Sequence, residues 1–160
     1  MEQTILPILG DTENTVTTEI QSCNDITAAA GVTLESHQIV ALQEGQKHVL
    51  RQTGRVEFGI GILKELILKI YNSPYITPEN YEETLFELQD AFYQLKNTVH
   101  DRLDDKELLT AITAIFNRYS HGVVEPICDL SEKALLDFCR NGKDPFATST
   151  KEVYNDDSRK

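Results

Sequence analysis

Arg55 and Glu57, bracketed by Gly54, Phe58 and Gly59, are the one polar constellation in this chain whose types and spacing suggest chemistry. A guanidinium and a carboxylate two residues apart could stand at the mouth of a pocket and bind a small anion or a partner's backbone. The competing reading is a linker in which the two charges tie neighbouring helix ends, the commoner use of such pairs. Tyr75, Phe86 and Tyr93 are aromatic residues that could line the same cavity or a partner surface, although aromatic stripes at helical spacing more often fill a core. Together these five residues form the candidate binding set.

Other chemistries lack their residues. His37, His48, His100 and His121 are scattered, and no Glu stands three residues before any of them, so the Glu-x-x-His signature of a di-metal bundle is missing. Cys23, Cys128 and Cys139 form no Cys-x-x-Cys pair and fall on or near expected apolar faces, where a thiol behaves as a small hydrophobe. Gly54 and Gly59 have the spacing of a phosphate loop, but Ile60 and Gly61 stand where Lys and Ser or Thr are needed. No metal, no cofactor and no catalytic residue are expected, which argues against an enzyme.

The chain carries 26 acidic and 15 basic residues in 160, a formal net charge of −11. Such a surface repels phosphate backbones and anionic lipid, so neither nucleic acid nor membrane is an expected partner. No Lys or Arg precedes Lys47, which excludes the basic start of a secretory or transit segment. An odd number of cysteines suits free thiols in a reducing cytoplasm.

Helical periodicity must supply the scaffold. The stretch Phe58–Tyr71 gathers Lys64, Glu65, Lys69 and Asn72 into a narrow polar arc, interrupted by Leu68, and is apolar elsewhere. That pattern predicts a buried central helix. Before it come a helix over Thr18–Ala30 stopped by Gly31, and a second capped by Thr33 and ending near Gly54. Gly45 lies inside the second helix and weakens it by about 1 kcal/mol relative to Ala, which suggests a close approach by another helix. Thr77 and Pro78 start the longest helix, running to His100 with Tyr81, Leu85, Leu88, Phe92, Leu95 and Val99 on one seam. Asp104 and Glu107 make a capping box for the next. Pro126 opens a last helix that Gly142 stops. The reading is all-α: a single-domain bundle of five to six helices around the central one. A flexible or extended arm occupies 1–17, the helical domain 18–142 and a polar tail 143–160.

Several short motifs in this order resemble a bacterial family of unknown function. They are Cys23-Asn24 with Gly31-Val32-Thr33-Leu34, the run from Gly54 to Gly59, Ser73-Pro74-Tyr75-Ile76, the run from Phe92 to Asn97, and Asp105-Lys106-Glu107-Leu108. The resemblance covers roughly Glu19–Arg140 and implies no activity, cofactor or catalytic residue.

Phe86 and Tyr93 project away from the seam of the longest helix and need a second neighbour, as does Leu68. Uncovered apolar surface of this kind marks an interface. The expected function is a non-catalytic protein–protein interaction or assembly module, with a homodimer or another protein as partner. The alternative is a small-ligand-binding or sensory bundle with a pocket near Arg55 and Glu57. A further possibility for the apolar surface is that Ile5, Leu6, Ile8 and Leu9 of the arm fold back over it.

Overall fold

The computed structural model describes residues 15–57 and 59–147. Residues 1–14, which hold most of the expected arm and its four aliphatic side chains, lie outside the described residues, as do Phe58 and 148–160. Among the described residues there is no strand, and helices alternate with short turns. In chain order the elements are α1 (15–22), α2 (Asn24–Thr27), α3 (Ser36–Thr53), α4 (Leu63–Ile70), α5 (Tyr81–Thr98), α6 (Asp105–Arg118), α7 (Glu125–Cys128) and α8 (Glu132–Asn141). The fold is all-α. No helix among the described residues is long and apolar enough to cross a membrane.

The chain divides into two compact units, Met1–Asp90 and Ala91–Lys160, with the boundary inside α5. Short connections make helices pack against their sequence neighbours, and contacts therefore gather within each half.

In the first unit, helical backbone is already present at Thr15, ahead of the expected start at Thr18. The expected first helix is broken at Cys23 and tightens to a 3₁₀ turn at Ala28–Ala30 before Gly31. Ile20, Cys23 and Thr27 are buried, but Ile26 is exposed. Asn24 then clamps the extended backbone at Leu34 from both sides. Its Nδ2 donates to the Leu34 carbonyl and its Oδ1 accepts from the Leu34 amide, each at 2.9 Å. That pins 32–35 outside the helix, so α3 is capped by Glu35 with Gln38 rather than by Thr33.

The central helix is shorter than its apolar pattern. Gly59 and Gly61 hold φ of 75° and 63°, a left-handed backbone that a right-handed helix cannot continue through. A Cβ placed at Gly59 would meet nothing within 4 Å, so this glycine serves the turn and not a close approach. What remains is α4, with Leu63, Leu66, Ile67 and Ile70 buried and Glu65, Leu68 and Lys69 exposed. α4 is therefore amphipathic, not wrapped on all sides.

The start of α5 follows the same logic. Thr77 Oγ1 accepts from the Asn80 amide at 3.2 Å, and Asn80 Oδ1 accepts from the Thr77 amide at 2.9 Å. This exchange closes a turn over 77–80, and the helix proper begins at Tyr81. Tyr81 is buried, and its hydroxyl pKa is pushed up to about 12 by burial, eased by Thr27.

In the second unit, Phe92, Tyr93 and Leu95 of α5 and Val99 just beyond it are buried. The Asp104–Glu107 capping box holds in both directions, at 2.7 and 3.0 Å. Leu108, Leu109, Ile112, Ile115 and Phe116 form the buried face of α6. The expected last helix is split: α7 ends at Cys128, and Ser131 starts α8 by accepting from the Ala134 amide at 3.1 Å. Beyond Gly142 the chain still packs as far as Pro145, which is buried.

Candidate functional site

A surface hollow of the first unit lies where α3 meets the start of α5. Three side-chain arrangements fix it. Gln38 closes the α3 capping box through its Oε1, which accepts from the Glu35 amide at 2.8 Å, and its Nε2 reaches across to Glu82 Oε1 at 3.1 Å. One turn further on, Gln89 Nε2 donates to the Leu42 carbonyl at 3.0 Å, while its Oε1 is buried with no hydrogen-bond partner. Just beyond Leu42, Gly45 faces Phe86. A Cβ built on Gly45 would come within 2.5 Å of the edge of the Phe86 ring, so only glycine lets the ring lie where it does.

Phe86 is nevertheless 39% exposed. It forms one wall of a hollow of about 270 Å³ whose other lining residues are Gln38, Pro78, Glu79, Glu82 and Glu83. Glu82 accepts from Gln38, whereas Glu79 and Glu83 have no ion-pair partner among the described residues. The helix dipole favours carboxylates at the start of α5. Asp90, later in the same helix, has its carboxyl raised above the usual range by burial, with His48 acting in the opposite sense.

Four of the five sequence-derived candidates, Arg55, Glu57, Tyr75 and Phe86, fall in the first unit and Tyr93 in the second. Arg55 follows the left-handed Gly54, and its amide donates to the Leu50 carbonyl at 2.9 Å, so it belongs to the turn that ends α3. Arg55 and Glu57 are half-buried and engaged, and Val56 between them is 78% exposed. Tyr75 is half-buried in the loop before α5, its amide donating to Ser73 Oγ at 3.2 Å and its carbonyl accepting from Asn80. Tyr93 is fully buried, its ring edge-on to Phe92 with centroids 5.0 Å apart. Of the five, only Phe86 lines the hollow.

Gln38, Glu79, Glu82 and Glu83 were absent from the sequence-derived set. The signal for Gln38 was present, since Glu35-x-x-Gln38 is a capping-box spacing; the stronger-looking Thr33 concealed it. Nothing local marked the three glutamates, because acidic residues are common in the first turn of a helix.

A second, larger depression lies within the second unit, between α6 and α8. It measures about 500 Å³ and is lined by Thr110, Ala111, Ala114 and Phe138, by Cys139, and by Asp104, Lys106, Glu107 and Arg118. Its two acidic and two basic side chains balance, and both acids are committed to the α6 cap. The Cys139 thiol is pushed up by burial and by Glu107, and that of Cys23 by burial, so neither is a ready thiolate. Among the described residues no group of three or more His, Cys, Asp or Glu is placed to hold a metal ion.

An aromatic ring beside carboxylates can bind, but it offers no nucleophile and no acid–base pair. No curated protein and no solved structure matches the chain. A sequence profile does match, over residues 19–146, and the chain belongs to that family, a family of unknown function designated DUF6323.

Proposed function

We propose that this protein is a non-catalytic protein–protein interaction module that works in a reducing cytoplasm and docks its partner on the Phe86 face of the first unit. The observation that carries the reading is the Phe86 ring, 39% exposed yet seated against Gly45 inside a helix. A helix-interior glycine costs about 1 kcal/mol relative to Ala. Here that cost positions an aromatic side chain that the described residues of the unit leave partly exposed. Positioned, partly exposed aromatic rings are typical anchors of protein interfaces. The experiment compares partners retained by wild-type and Phe86→Ser protein of equal helicity. A protein bound by the first, lost by the second and recovered in a complex of purified components supports the reading; loss of nothing on substitution refutes it. Light scattering of the chain alone tests whether the partner is a second copy.

The depression between α6 and α8 favours a second reading, small-ligand binding, because its volume falls within the range of small-molecule sites. It lies in the second unit and not at Arg55. Native mass spectrometry of freshly purified protein decides it: a stoichiometric adduct supports the reading, and a bare chain whose melting no added metabolite-sized compound raises counts against it.

A further inference from the structure

The Phe86 hollow has a charge pattern that selects among partners, and we propose that its occupant is a cationic segment, presenting Lys or Arg beside apolar residues. This inference rests on the reading of Phe86 as a docking residue. Three of the six lining residues are glutamates and none is basic. Glu79 lies in the turn before α5 and Glu83 in its first turn, and neither has an ion-pair partner among the described residues. The dipole of α5 accounts for acidic residues near its start. It does not account for an exposed aromatic ring among them.

Together the groups make a complementary receptor. An Arg or Lys head can stack on the Phe86 ring while its N–H groups reach Glu79 or Glu83. Glu82 is held by Gln38 at 3.1 Å and so forms a fixed wall. The formal charge of −11 over the whole chain adds long-range attraction for such a partner. An acidic or purely aliphatic segment would find the ring but meet uncompensated carboxylates.

The test titrates the full-length, ¹⁵N-labelled chain with acetyl-Leu-Arg-Leu-Arg-Leu-amide and with its neutral citrulline counterpart. The expected result is chemical-shift change at Gln38, Glu79, Glu83 and Phe86, with the Arg peptide binding about fivefold or more tightly than the neutral one. Binding weakens as salt rises from about 50 to about 300 mM. Glu79→Gln with Glu83→Gln removes the preference for Arg, Phe86→Leu weakens both peptides, and Asp129→Asn, outside the hollow, changes neither. Equal binding of the two peptides at the same residues overturns the cationic occupant and leaves the docking face standing. No shift at these residues with either peptide, or binding indifferent to Phe86→Leu, overturns both.

Discussion

Asp90 in the first unit and Asp137 in the second are the same residue type with opposite electrostatics. Burial raises the Asp90 carboxyl, whereas the hydrogen bond from Lys133 at 2.9 Å lowers that of Asp137. The contrast extends to the units that hold them. In the second unit several charges are spent internally: buried Lys96 ties Asp105 and the Leu103 carbonyl, and Arg102 and His100 both reach Glu132. Val123 is its only exposed large hydrophobic residue among those described, whereas the first unit exposes Ile26, Val40, Val56, Leu68 and Phe86. The first unit leaves a ring and carboxylates together at one hollow, and for that reason the proposed docking surface is placed there.

Two phenylalanines give the largest expected separation. Phe116→Ala removes a fully buried ring from the second unit and should cost about 3–5 kcal/mol, whereas Phe86→Ala should cost about 1 kcal/mol or less. Urea unfolding of both variants checks this. If Phe86 costs as much as Phe116, it is a core residue and the contrast between the units fails.

Lys96→Met tests how far the second unit depends on its internal charge ties. It should lose about 2 kcal/mol, since the Leu103 carbonyl loses its charged donor and Asp105 its partner. A neutral outcome in the same unfolding assay would show that the methylene stem of Lys96, and not its ammonium, matters there.

Gly45→Ala addresses the seat of Phe86. The gain in helix propensity, up to about 1 kcal/mol, is opposed by displacement of the ring, so the net change should stay within about 0.5 kcal/mol. The ring resonances of Phe86 should nevertheless move, and partner binding should weaken. Unchanged ring shifts would mean that the glycine does not set the ring position.

Asp90 gives the smallest effect and a definite sign. Because its folded pKa lies above the unfolded value of 3.8, the folded state holds the proton more tightly. This group therefore lowers stability as pH rises from 3.8 through the folded pKa, and its full penalty is present at neutral pH. Asp90→Asn should raise the melting temperature slightly at pH 7, and the gain should shrink below pH 3.8. Asp137 has the reverse sign: its contribution is present above 3.8 and is lost as pH falls through its lowered pKa, so Asp137→Asn should show no gain at pH 7.

Sequence alone determined the class, most of the buried set and several boundaries. Apolar residues at helical spacing on α5 and α6 bury the same residues in the structure, because periodicity fixes which face can leave water. Gly31, Gly54 and Gly142 end elements as expected, and the Asp104–Glu107 cap forms, because these signals act within one turn of chain. Tertiary structure decided what depends on residues distant in sequence. Asn24 reaches ten residues ahead to Leu34 and so moves the start of α3, which no local pattern reveals. Tyr93 and Phe86 occupy the same kind of position off the α5 seam, yet one is wholly buried and the other sits exposed against a glycine 41 residues earlier. A periodic pattern says that such a ring needs a neighbour; whether that neighbour covers it is set by packing, the one term that sequence spacing does not contain.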